Sequence, residues 1–182
     1  MIETDAAHRY PLPRADAPAV VFDFDHTLYD GDSFGHVLGW LLKRNPARTA
    51  VALVATVVLG PMVAWLPLRR RGISGYVWIA TFGLHGRRSF DALLDKYVAT
   101  HKDEIRQRLL PVALEVFRAH REAGDRVVVA TGAPPELARA ILAFVAHEDV
   151  PVIGTAVGPR FGAVVATRHC HHEEKVRMLR ER

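Results

Sequence analysis

From Ala19 to Phe22 the chain is apolar without interruption, and it then turns acidic, with Asp23 and Asp25 one residue apart. Such a run predicts a buried parallel strand that delivers acids to its C-terminal edge, where open α/β sheets bind ligands. Arg126-Val127-Val128-Val129-Ala130, which ends in Thr131-Gly132-Ala133-Pro134-Pro135, predicts a second strand of the same kind. Between the two the period changes. Ser33 as an N-cap, then Phe34, Val37, Leu38, Leu41 and Leu42 at helical spacing, predict a helix that stops at Asn45-Pro46. Thr49 to Leu68 is a run of twenty uncharged residues, long enough to span a membrane, with a break predicted at Gly60-Pro61. Ile73 to Leu84 is a second apolar patch, with Tyr76 and Trp78, and Phe90 to Leu110 is amphipathic, with Leu93, Leu94, Tyr97, Val98 and Ile105 on its apolar side.

Pro111 at a first helical turn, Val112 to Ala123, and Gly124 as a stop predict the helix that leads into the second strand. An amphipathic helix from Glu136 to Ala146 and a short strand at Val150 to Gly154 follow, then Ala156–Val157 and Ala163–Ala166, which predict a small hairpin or further strands. Strands alternating with helices predict an α/β fold with a Rossmann-like parallel sheet. Residues 19–32 and 111–182 form its core, residues 33–110 an inserted helical cap, and residues 1–18, polar and Pro-rich, a loose arm. That arm has no apolar signal region, so the core is expected to fold in the cytosol. With 182 residues, 49% of them hydrophobic, one core is the expectation, and a single cysteine excludes a disulfide framework.

Charge is unevenly spread. Ser33 to Phe90 holds eight Lys and Arg and no Asp or Glu; against a whole-chain charge of +4, that leaves the remainder at −4. The basic clusters flank an apolar run and are not interleaved with stacking aromatics, which argues for an anionic membrane surface and against nucleic acid. The two core strands must lie side by side, so one full crossing by residues 49–68 would strand them on opposite faces. With the run broken at Gly60-Pro61, each half is too short to cross. The expectation is a re-entrant or in-plane cap, with Trp65, Tyr76 and Trp78 near headgroups and Arg69, Arg70 and Arg71 on anionic lipid. The competing expectation is a buried helix of a soluble cap.

Period-two geometry points Asp23 and Asp25 to one side of the strand, where a divalent cation would relieve their repulsion. With Mg²⁺ held there by Asp23 and Asp25, one carboxylate can attack phosphorus while the other handles the leaving-group proton. Thr27 can hydrogen-bond in the turn that follows. Thr131, where strand passes to helix, offers a hydroxyl and the next backbone N–H groups, from Gly132 onward, to a phosphoryl oxygen. The run His169-Cys170-His171-His172 is not read as a zinc site, because adjacent residues cannot all reach one tetrahedral ion.

Asp23-Phe24-Asp25-His26-Thr27 after an apolar strand resembles the first motif of the haloacid dehalogenase superfamily of phosphotransferases. Thr131-Gly132 resembles its second, and Lys175 in Glu173-Glu174-Lys175-Val176 its third. The resemblance implies that Asp23 forms an aspartyl-phosphate, that Asp25 is the general acid and base, and that Lys175 neutralises the phosphate and the nucleophile. Asp32 corresponds to a substrate-facing acid of the phosphoserine phosphatase-like branch, subfamily IB, and it can also cap the helix beginning near Ser33.

Asp30-Gly31-Asp32-Ser33-Phe34-Gly35, the apolar basic-flanked cap, Trp78 to Gly83, and Thr167 through Lys175 look like the phosphatidylglycerophosphatase C family. That likeness implies Mg²⁺ and hydrolysis of phosphatidylglycerophosphate at the cytoplasmic face of the bacterial inner membrane. A soluble, cytoplasmic small-molecule phosphatase of the phosphoserine phosphatase type is the alternative. The superfamily's fourth motif, a later acidic pair, has no counterpart before Arg182. The expectation is therefore a missing last core strand, an exposed first strand, and, as a third reading, a truncated and inactive membrane-docking remnant.

Overall fold

The computed structural model describes residues 19–84, 86–168, 170 and 177; the N-terminal arm lies outside them. β1 (Ala19–Asp23) runs parallel to β2 (Arg126–Ala130), with Asp23 level with Ala130, and β2 runs parallel to β3 (Val152–Ile153). Valines at 20, 21 and 127–129 suit this pleated surface because a branched Cβ packs well there. The order β1-β2-β3 leaves β1 at the edge among the described residues. Its residues are exposed or half-buried, in place of the fully buried strand that the apolar run predicts. β4 (Ala156–Arg160) and β5 (Ala163–Arg168) form the expected antiparallel hairpin.

Among the described residues, six helices lie between β1 and β2, and the first five form the insertion: α1 (Ser33–Lys43), α2 (Pro46–Ala64), α3 (Arg69–Thr81), α4 (Arg87–Thr100) and α5 (Lys102–Arg108). The chain's departure and return are stitched together. Leu110 N–H donates to the Leu28 carbonyl at 3.0 Å, and Asp30 N–H to the Arg108 carbonyl at 2.7 Å. Phe24, Leu28, Leu94, Phe117 and Val129, all fully buried, belong to one hydrophobic core shared by the sheet and the inserted helices. α6 (Pro111–Glu122) carries Pro111 at its first turn as predicted. The predicted 136–146 helix is α7 (Pro135–Ile141) followed by one wide π turn, Leu142–Ala146. Glu148 is buried there, receiving Arg118 Nε at 2.8 Å and Arg121 Nη1 at 3.0 Å, which fastens α6 to the segment leading into β3.

Two expectations are corrected. The N-cap of α1 is Asp32, whose carboxylate accepts from Gly35 N–H at 2.9 Å, so Ser33 is the first helical residue. The amphipathic region 90–110 is built from two helices that meet at His101, with Leu94, Tyr97, Val98 and Ile105 of its apolar side buried. Most consequentially, α2 runs unbroken through Gly60-Pro61 for 19 residues, about 28 Å at 1.5 Å per residue. Pro61 forgoes one helical hydrogen bond but does not end the helix, because α3 packs along α2 and holds it. A Cβ on Gly72 would lie 2.9 Å from the Val63 backbone nitrogen, so glycine there permits that approach. The opposite surface of α2 is uncovered: Leu53, Val54 and Val57 are 68, 75 and 79% exposed, and Ala52 alone is buried among its described residues. It is therefore neither two short halves nor the buried helix of a soluble bundle.

Candidate active site

Asp23 and Asp25 stand where β1 ends and a tight turn begins. The N–H groups of Thr27, Leu28 and Tyr29 converge on the Phe24 carbonyl, and His26 takes a left-handed conformation, φ 60°. The turn is thus held by backbone groups, while the Thr27 side chain is exposed. Asp23 Oδ1 accepts from the Phe24 N–H at 2.9 Å.

Asp25 is anchored from two directions. Its Oδ1 accepts from Ser33 N–H and its Oδ2 from Thr131 Oγ1, both at 2.8 Å. The parallel register of β1 and β2 brings Thr131 beside Asp25 across 106 positions of sequence. Thr131 is fully buried; its own N–H donates to the Ile153 carbonyl and its hydroxyl accepts from Ala133 N–H, both at 2.9 Å. With both of those hydroxyl contacts made, Thr131 serves Asp25 directly. Gly132 follows in the same loop and is half-buried.

Gly154 supports that loop from beneath. A Cβ there would lie 2.5 Å from the Ala133 carbonyl oxygen, closer than any side chain is tolerated. Thr155 N–H donates to the same carbonyl at 2.9 Å. Cys170 is buried beside Ala130 and Ile153, and its N–H donates to Thr155 Oγ1 at 3.1 Å. Lys175, His169, His171 and His172 lie outside the described residues.

Tyr29, at the far side of the turn, is buried, and its hydroxyl lies 3.0 Å from His36 Nδ1. Burial first, then Tyr97 and the Asp25 carboxylate, push its phenol up to about 12, with Arg108 opposing. Asp32 spends its carboxylate on capping α1. The Ser33 amide at Asp25 and the buried Ser33 hydroxyl, which has no partner among the described residues, were not foreseen from sequence; their signal is only their place right after the acidic turn.

The donors available to a metal are hard oxygens. Asp23 offers an exposed carboxylate, and Asp25, with both carboxylate oxygens engaged, offers its backbone carbonyl. No three His, Cys, Asp or Glu side chains converge among the described residues. This set fits Mg²⁺, which keeps several waters and takes one or two carboxylates.

The family model described as haloacid dehalogenase-like hydrolase matches residues 20–182. Among solved structures, a protein of unknown function from Bordetella pertussis Tohama I aligns with TM-score 0.60 at 22% identity, over 91% of this chain and 74% of its own. That likeness bears out the fold. Cytosolic 5'-nucleotidase IIIB bound to cytidine aligns at TM-score 0.49 and 17% identity, over 80% of this chain and 51% of its own. Phosphoserine phosphatase from T. onnurineus aligns at 0.47 and 18%, over 91% and 70%.

Proposed function

The chain belongs to the haloacid dehalogenase-like hydrolase family, and from that premise we propose a Mg²⁺-dependent phosphatase that works through an aspartyl-phosphate on a membrane-borne phosphomonoester. The observation that carries the phosphoryl-transfer reading is the juxtaposition of Asp23, Asp25 and Thr131 at one sheet edge. Asp23 attacks phosphorus as the bond to the alcohol oxygen breaks, and a protonated Asp25 gives that oxygen its proton. Asp25 then takes a proton from water as the water oxygen bonds to phosphorus and the Asp23–phosphorus bond breaks, which releases phosphate and restores both acids. Thr131 and the Ser33 amide keep Asp25 in one orientation while its proton leaves and returns. Mg²⁺, held by Asp23 and the Asp25 carbonyl, would neutralise charge on the phosphoryl oxygens.

The lipid substrate, of the phosphatidylglycerophosphate kind, is supported by the exposed apolar surface of α2 and the arginines that open α3. Both suit the cytoplasmic face of an anionic membrane. Phosphate release from a lipid phosphomonoester in anionic vesicles, compared with phosphoserine in solution and each assayed with Mg²⁺, tests the reading. Faster release from the lipid is expected. Release from the soluble ester alone would overturn it in favour of a soluble phosphatase, and no release from either would make the chain an inactive remnant.

A further inference from the structure

The start of α2 and the end of α3 enclose an apolar cavity of about 520 Å³, in which Val51, Trp78, Ile79 and Phe82 supply the apolar lining and Asn45 and Arg48 the polar one. That size admits a small molecule or a length of alkyl chain. None of these residues belongs to the turn after β1, the start of α1 or the Thr131 loop, so the cavity is separate from the site at Asp25. Val51, Val54 and Val58, three and four residues apart, continue its apolar lining along one side of α2, and all three are exposed. The cavity therefore opens into the uncovered surface of that helix.

Its polar lining is cationic. Arg48 Nη1 donates to the Ala80 carbonyl at 3.1 Å and Nη2 to the Phe82 carbonyl, which fixes the guanidinium while its remaining N–H groups stay available. Those carbonyls, at the end of α3, offset about half a charge at most, and Arg48 itself stands in the first turn of α2, where the helix end is also positive. No carboxylate pairs with Arg48 among the described residues, and no Asp or Glu occurs from Ser33 to Phe90. A fixed cation at the mouth of an apolar cavity matches an anionic head joined to an alkyl chain. We propose that this cavity is a lipid site apart from the active site: it takes one alkyl chain of an anionic membrane lipid, with the head on Arg48, and so holds the insertion to the membrane.

The test needs no turnover, so its failure and that of the phosphatase reading are distinguishable. Decyl sulfonate, an anionic chain with no phosphate ester to cleave, is titrated calorimetrically into the full chain below its micelle concentration and without vesicles. One bound chain per protein is expected, with decyltrimethylammonium and methanesulfonate each at least about tenfold weaker. Arg48→Gln should lose about tenfold, and so should Val51→Phe and Ala47→Leu, which fill the cavity from exposed positions and spare the Arg48 hydrogen bonds. Arg71→Gln, outside the cavity, should bind as wild type, and urea midpoints equal to wild type in the filling variants separate filling from unfolding. Equal binding of the cationic chain, several chains per protein, or full affinity in both filling variants would overturn the proposal. In vesicles of one surface charge, bromine on the chains of the anionic lipid should quench the tryptophan emission of Trp65→Phe more than bromine on the neutral lipid, through Trp78 in the cavity, and Val51→Phe should remove the difference. Equal quenching by both lipids would overturn the assignment to a membrane lipid.

Discussion

Asp25 receives its two donors from segments that meet only in the folded chain, the Ser33 amide and the Thr131 hydroxyl. Thr131→Val keeps the shape and removes the hydroxyl, so Asp25 loses one anchor and the Ala133 N–H loses its acceptor. Turnover should fall about a hundredfold, the lower end of what a positioned acid and base supplies, with KM little changed. Thr131→Ser should restore most of it, and steady-state kinetics on both variants checks this. Tyr29 supplies a pH signature at the same turn. Its phenol is raised to about 12 from an ordinary 10, so the folded chain holds this proton more tightly than the unfolded one. That contribution is complete below pH 10 and is lost as pH rises from 10 towards 12. Urea unfolding across this range should show stability falling, with a shallower fall in Tyr29→Phe; parallel curves would remove Tyr29 from the account.

At the scale of elements, β2 and its turn were legible because an unbroken β-branched run between Gly124 and Thr131-Gly132 admits one reading, and the strand found is the strand predicted. Asp23 and Asp25 were legible for the same reason: strand ends are local patterns. The cap of α1 was less so, since Asp32 and Ser33 are both good N-cap residues and only the contact to Gly35 separates them. Gly60-Pro61 misled because its local breaking tendency is outweighed by packing along α3, which a one-dimensional pattern does not contain. The place of Arg70 in a cavity with Gly132 was invisible on the same ground, being a product of how α3 packs against α1 and β5. Gly154 belongs to this scale as well. Gly154→Ala drives a methyl against the Ala133 carbonyl at 2.5 Å, so the loop carrying Thr131 must shift. A loss of about 1–3 kcal/mol in chemical denaturation, with reduced turnover, is the expected outcome.

The whole molecule joins a charge asymmetry to an apolar surface: the eight-cation segment contains α2, whose outer side faces solvent. Binding to vesicles should therefore strengthen with anionic lipid and weaken with salt. Replacing Arg69, Arg70 and Arg71 by Gln should weaken it about a hundredfold, at roughly 1 kcal/mol for each charge near the surface. Sedimentation with liposomes measures this, and indifference to lipid charge would count against the membrane reading. β1 is the edge strand among the described residues, and it also carries Asp23, so edge geometry and chemistry meet in one element. The most direct measurement is rapid-quench mass spectrometry of the protein turning over a phosphomonoester with Mg²⁺, alongside Asp23→Asn. A transient phosphoryl group on the peptide containing Asp23, absent from Asp23→Asn together with all turnover, is the predicted result. Sustained turnover by Asp23→Asn, or a phosphoryl group on another residue, would contradict it.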